Sequence, residues 1–203
     1  MRIICVAGAS SGVGKTTVVC GMLRHLPGWA ALKVTRSHRR GPCPHQPLRA
    51  VAGPASAGEG QRGCNVCATL DRPYRLLEMT PENDLPDKDT WRLREAGASR
   101  VFWLIARPEA VGRGLKKALL RLEAAPGVVI EGNSAVPWVD ADLVVMVRRR
   151  SGGEMSPSAR TAARHADRTI FIDESKPASQ IEKKCSRILR TLAGRTGDSS
   201  GRE

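Results

Sequence analysis

Short apolar runs alternate with amphipathic segments along most of the chain. Continuous apolar runs predict strands over residues 3–7, 30–35, 100–106, 128–130, 143–147 and 169–172. Apolar residues at helical spacing predict helices over 15–26, 89–96, 111–124, 157–165 and 179–192. This alternation is typical of an α/β fold built on a mostly parallel sheet.

The alternation stops between residues 36 and 87, where Gly, Pro and Arg are frequent and three of the six cysteines lie. So long a structureless stretch is unusual inside a compact domain. We therefore expect one domain over 1–193, with 39–87 as an inserted Gly/Pro/Cys-rich module and 194–203 as a flexible tail.

The strongest motif follows the first predicted strand and opens the first predicted helix: Ala9-Ser10-Ser11-Gly12-Val13-Gly14-Lys15-Thr16-Thr17. This Walker A context is typical of a P-loop, in which backbone N–H groups and a helix N-terminus hold phosphates. Lys15 is expected to reach the β- and γ-phosphates, and the Thr16 hydroxyl to bind Mg²⁺. The predicted nucleotide-binding residues are Ser11, Gly12, Val13, Gly14, Lys15, Thr16 and Thr17.

Such a site needs a carboxylate to hold Mg²⁺ or its water, and two acids are candidates. Glu131 ends an apolar strand, although a strand-end acid can also be an ordinary surface residue. Asp89 can ligate Mg²⁺, orient an attacking water, or simply act as a helix N-cap. Arg92 lies one helical turn after Asp89 and is a candidate for binding substrate phosphate.

These segments occur in the same order as in the molybdopterin-guanine dinucleotide biosynthesis protein B family, which the chain resembles over roughly 1–38 and 88–147. The resemblance rests on the P-loop, the second strand with Lys33, the Lys88-Asp89-Thr90-Trp91-Arg92…Ala96-Gly97-Ala98 block and Glu131-Gly132. It departs at Asn133-Ser134, where the family usually has an aromatic residue and Lys.

The resemblance implies a three-layer P-loop NTPase fold and a dimeric, Mg²⁺-dependent, weakly hydrolytic GTP-binding protein. Such proteins assist the attachment of GMP to molybdopterin, so a pterin or another anionic small molecule and a partner enzyme of cofactor biosynthesis are implied. By match of motif, Lys15 and Thr16 serve the phosphates and Mg²⁺, while Asp89 and Glu131 lie on the metal–water side of the site.

The cysteines of the insertion form a second constellation. Cys64 and Cys67 have the spacing of a Zn²⁺ half-site, and Cys43 and His45 can supply two further ligands. An Fe–S cluster, or a loop with incidental thiols, fits the same residues. The other three cysteines, Cys5, Cys20 and Cys185, lie on apolar patterns and are expected to be core thiols.

Charge changes the interpretation only modestly. The chain of 203 residues carries a net charge of +13, and its first acid is Glu59, so the surface favours anionic ligands. Without a stripe of alternating aromatic and basic residues, nucleic acid is not the expected partner. No apolar run approaches the roughly 18 residues of a membrane helix, and we expect a cytoplasmic protein without a membrane partner.

Three functions follow from these features. The favoured one is Mg²⁺-dependent binding and hydrolysis of a purine nucleotide, either GTP or ATP, in support of molybdenum cofactor biosynthesis. The second is a small-molecule kinase that transfers the γ-phosphate to an anionic metabolite, with Asp89 as the base for a hydroxyl. The third is a nucleotide-gated adaptor whose metal-binding cysteine module docks a partner.

Overall fold

The computed structural model describes residues 1–37, 70, 72–173, 175 and 178–194. The described strands are β1 (Arg2–Gly8), β2 (Ala30–Arg36), β3 (Tyr74–Met79), β4 (Val101–Ala106), β5 (Gly127–Glu131), β6 (Leu143–Arg149) and β7 (Arg168–Ile172). The described α-helices are α1 (Lys15–Leu23), α2 (Asp89–Glu95), α3 (Val111–Arg121), α4 (Pro157–Ala163) and α5 (Ala178–Gly194).

The strands form one seven-stranded sheet in the order β3-β4-β2-β5-β1-β6-β7. Every pairing is parallel except that of β3 with β4. The predicted α/β class with a mostly parallel sheet is confirmed.

The two faces of the sheet carry separate apolar clusters. Side chains alternate along β1, so Ile4 and Val6 lie on one face of the sheet and Cys5 and Ala7 on the other. Helices α1, α2 and α5 cover the first face, and helices α3 and α4 cover the second. Because both faces of the parallel strands are buried, these strands are nearly continuous apolar runs. The predicted core positions of Cys5, Cys20 and Cys185 are confirmed, since all three are buried free thiols.

All eleven predicted elements are present, with shifts of a few residues at their ends. The largest shifts shorten two helices: α1 ends at Leu23 rather than at 26, and α3 ends at Arg121 rather than at 124. In both cases the last predicted turn is present as hydrogen-bonded turns, such as Leu26 N–H to the Leu23 carbonyl.

Strand β3 was not predicted. It lies within the 39–87 segment but pairs with β4 at the edge of the main sheet. All six of its residues are half-buried, so its sequence shows neither the alternation of a one-sided strand nor the apolar run of a central one. Part of the segment predicted as an insertion therefore belongs to the sheet.

Strand order decides which loops can meet. Strands β2, β5 and β1 are neighbours and parallel, so their carboxyl ends lie side by side at one edge of the sheet. That edge is where ligands bind in open α/β sheets. Among the described residues, no helix combines the length and apolar character needed to cross a membrane.

Candidate functional site

The predicted phosphate loop joins the end of β1 to the start of α1 at this edge of the sheet. Gly12 and Gly14 adopt left-handed backbone angles, with φ of 68° and 95°. Gly14 is the N-cap of α1 and brings no side-chain acceptor, so the first-turn N–H groups need another partner. The first turn also carries no acid. These features leave the helix N-terminus suited to an anion.

Two residues, Asn133 just after β5 and Val147 on β6, hold the start of the loop. The Asn133 side-chain carbonyl accepts a hydrogen bond from Gly8 N–H at 2.8 Å, and its amide N–H donates to the Gly8 carbonyl at 2.9 Å. The Ala9 N–H donates to the Val147 carbonyl at 2.9 Å. Sequence reasoning noted Asn133 only as a departure from the family pattern. Its role depends on a pairing across 125 residues that no local pattern indicates.

Thr16, on α1, joins the two candidate acids. Its hydroxyl lies 3.0 Å from Asp89 Oδ1 and 3.0 and 3.1 Å from the two Glu131 carboxylate oxygens. Thr16 and Glu131 are buried, whereas the Asp89 side chain is 42% exposed. The three residues predicted from separate motifs therefore lie together on the α1 face of the sheet.

The alternative roles considered for the two acids do not match this geometry. Glu131 is 4% exposed, so it is not an ordinary surface acid. Asp89 is the first residue of α2, and the N-cap is Lys88, with no side-chain capping bond. The Asp89 carboxylate instead contacts Thr16 and Lys33.

Lys33 is part of this cluster, although sequence reasoning used it only as a mark of the second strand. It stands beside Glu131 in the register of β2 and β5. Its Nζ donates to Asp89 Oδ2 and lies 3.6 Å from Glu131 Oε1. A lysine between the apolar residues Leu32 and Val34 of β2 is the signal that could have pointed to the site.

The charges of the cluster are balanced between two lysines and two carboxylates. Burial lowers the pKa of Lys15. The negative charges of Glu131 and Asp89 raise this pKa and the positive charge of Lys33 lowers it, so that the net shift is downward. Burial by itself raises the pKa of Asp89, but the charge and hydrogen bond of Lys33 and the hydrogen bond from Thr16 outweigh it, so this pKa is lowered. Lys15 Nζ also donates to the Ser10 carbonyl at 3.3 Å.

The donor atoms of the cluster fit Mg²⁺. The Thr16 hydroxyl and the carboxylates of Asp89 and Glu131 are all oxygen donors, which Mg²⁺ prefers, and P-loop sites complete its shell with water and phosphate. Within the described ranges there is no group of three or more His, Cys, Asp and Glu side chains that could hold a metal. The predicted zinc ligands Cys43, His45, Cys64 and Cys67 lie outside the described residues.

The remaining predicted residues surround the loop. Ser11 is exposed, while Val13 is buried in the core beneath α1. The exposed Arg92 donates from Nη2 to Thr17 Oγ1 at 3.2 Å, which places its guanidinium beside the first turn of α1. Arg149 donates to the Gly12 carbonyl at 3.3 Å from the end of β6.

Comparison with protein-family models, with curated proteins and with solved structures found no match to this chain. The family resemblance stays a prediction from motifs. The geometry of the loop, Thr16, Lys33 and the two carboxylates is therefore the basis on which a function can be assigned.

Proposed function

We propose that this protein binds a purine nucleoside triphosphate with Mg²⁺ and hydrolyses it slowly. One observation carries the proposal: the Thr16 hydroxyl, in the first turn after a glycine-rich loop, contacts both Asp89 and Glu131. A hydroxyl in that first turn and an acid at the end of a neighbouring strand, as Glu131 is at the end of β5, are the parts that P-loop NTPases use around the phosphates.

The roles of the residues follow from their positions. Loop N–H groups and Lys15 bind the phosphates and stabilise charge on the γ-phosphate. Thr16, Asp89 and Glu131 hold Mg²⁺, which when bound neutralises charge on the phosphate oxygens. Glu131 is buried beneath the loop, whereas the more exposed Asp89 can orient a water from the solvent side.

The choice of GTP and the biological role come from the family resemblance. On that basis we propose that the protein favours GTP and supports attachment of GMP to molybdopterin, together with a partner enzyme and as a homodimer. The basic residues Arg92 and Arg149 beside the loop suit an anionic second ligand such as a pterin phosphate.

The decisive test compares binding of fluorescent GTP and ATP analogues to the wild-type protein and to Lys15→Ala. The matched control is Lys117→Ala, an exposed lysine on α3 at the opposite face of the sheet. We expect Lys15→Ala to weaken binding by at least about 100-fold, because it removes a charged phosphate contact. Equal affinity of Lys15→Ala and Lys117→Ala would contradict nucleotide binding at this loop.

A second candidate function is transfer of the γ-phosphate to a metabolite hydroxyl. The observation that favours it is the difference between the two acids: the Asp89 side chain is 42% exposed and the Glu131 side chain only 5%. An exposed acid beside Arg92 can reach a bound anionic substrate as well as water. Radiolabelled γ-phosphate separates the two functions, because hydrolysis releases inorganic phosphate without added metabolite and a kinase requires the acceptor.

The predicted zinc module and the adaptor function remain predictions for the cysteines outside the described residues. Metal analysis of the purified protein with Cys64→Ser and Cys67→Ser tests them directly. Loss of bound Zn²⁺ in these variants is the expected result, and metal-free wild-type protein would contradict the prediction.

A further inference from the structure

Lys33 lies between the carboxylates of Asp89 and Glu131, which is the position that the proposed function gives to the metal. Its ammonium contacts Asp89 and lies 3.6 Å from Glu131 Oε1. Both carboxylates also contact Thr16. The oxygens that would face a divalent cation are therefore already next to a cation that belongs to the chain.

The position of Lys33 is set by the backbone. Parallel pairing places Lys33 directly beside Glu131, and the Lys33 side chain is 19% exposed, so it lies mostly inside the site. Lys15, the other nearby lysine, is directed differently, because its Nζ donates to the Ser10 carbonyl within the loop. Arg92 contacts Thr17. Among the described basic residues around the two carboxylates, Lys33 is therefore the one that contacts both acids.

We propose that Lys33 acts as an internal counter-cation that keeps divalent metal ions off Asp89 and Glu131 until a nucleotide is bound. This inference rests on the proposed function, because it takes from it that the metal binds at Asp89 and Glu131. A metal ion approaching the nucleotide-free site meets two carboxylates whose negative charge Lys33 and Lys15 already balance. A triphosphate in the loop offers Lys33 a new anionic partner and supplies the metal with phosphate oxygens.

This arrangement makes metal binding depend on nucleotide binding. Without Lys33, only Lys15 would offset the charge of the two carboxylates, and these acids with the Thr16 hydroxyl would form a site for a free cation, so the metal would bind first. With Lys33, metal and nucleotide arrive together. Lys33 is then a positioning residue, because it controls which cation the acids face.

The experiment is a titration of the nucleotide-free protein with MnCl₂, followed by the electron paramagnetic resonance signal of free Mn²⁺. The variants are Lys33→Met and Lys33→Gln, which remove the charge, and Lys33→Arg, which keeps it. We expect Lys33→Met and Lys33→Gln to bind Mn²⁺ at least about tenfold more tightly than wild type, and Lys33→Arg to match wild type. Adding Glu131→Gln to Lys33→Met should abolish the gain.

Equal Mn²⁺ affinity of wild type, Lys33→Met and Lys33→Gln, with folding verified by circular dichroism, would overturn the inference. If neither neutral variant folds, the wild-type protein still decides the matter. Tight Mn²⁺ binding by the nucleotide-free wild type contradicts the inference, and Mn²⁺ binding that requires a non-hydrolysable nucleotide analogue supports it. Failure of the proposed function would be a separate result, in which neither the GTP analogue nor the ATP analogue binds to the wild-type protein. The comparison of Mn²⁺ affinity between nucleotide-free wild type and the Lys33 variants would still hold in that case.

Discussion

The Thr16 hydroxyl lies 3.0 Å from Glu131 Oε1, although 115 residues separate the two in sequence. The contact joins the first turn of α1 to the end of β5, which is the strand next to β1. Asp89 reaches the same hydroxyl from α2, at 3.0 Å and 73 residues away. A hydroxyl between two carboxylates is therefore the centre of the candidate site.

Removal of the Thr16 hydroxyl should abolish the effect of Mg²⁺ on nucleotide binding. In Thr16→Val the side-chain shape is nearly kept but the oxygen donor is lost, so affinity with Mg²⁺ should fall at least about tenfold. Thr16→Ser keeps the oxygen and should retain most of the affinity. Titration of a fluorescent nucleotide with Mg²⁺ and with EDTA measures both effects. A Thr16→Val protein with undiminished Mg²⁺ dependence would contradict the proposed metal contact.

Asn133 should stabilise the start of the glycine-rich loop between β1 and α1. Asn133→Ala removes the acceptor of Gly8 N–H and the donor to the Gly8 carbonyl, which should lower the free energy of unfolding by about 2 kcal/mol. Ser134→Ala, at the next position, is the control and should change it by less than about 0.5 kcal/mol. Urea denaturation followed by circular dichroism provides the measurement. Similar values for the two variants would show that the Gly8 contacts contribute little.

Gly132 should resist substitution more strongly than another glycine whose φ is also positive. Gly132 has φ of 146°, and a Cβ there would lie 2.6 Å from the Val34 carbonyl oxygen. Gly152 has φ of 84° but no atom within 4 Å of an added Cβ. We expect Gly132→Ala to cost about 3 kcal/mol of unfolding free energy and Gly152→Ala only about 1 kcal/mol. Equal costs, measured by urea denaturation, would mean that the close approach of β2 is relieved easily.

Cys5 and Cys185 should be unreactive in the folded protein. Burial raises the pKa of each thiol to about 12, so at pH 8 the reactive thiolate is roughly one part in ten thousand. Treatment with iodoacetamide at pH 8 should leave both unmodified until guanidinium unfolds the chain. Mass spectrometry of the peptides assigns each modification to its cysteine. Rapid native alkylation of either thiol would contradict its place in the core.

Much of the fold was predictable because its signals are local. The apolar run of β1, the glycines of the loop and the amphipathic pattern of α1 lie within a few residues of one another. Each pattern predicts an element without reference to the rest of the chain. Strand β3 could not be predicted in this way, because an edge strand with every residue half-buried has no distinctive periodicity.

Residue type and spacing along one strand, one loop and one helix are enough to predict a phosphate loop and the kinds of side chain expected around it. The sequence nominated Asp89 and Glu131 only as candidates. Tertiary packing brings both acids to Thr16, places Lys33 between them and lets Asn133 hold Gly8. Strand order explains these contacts, because parallel pairing of β2, β5 and β1 brings distant residues to one edge of the sheet, and no local pattern specifies that order.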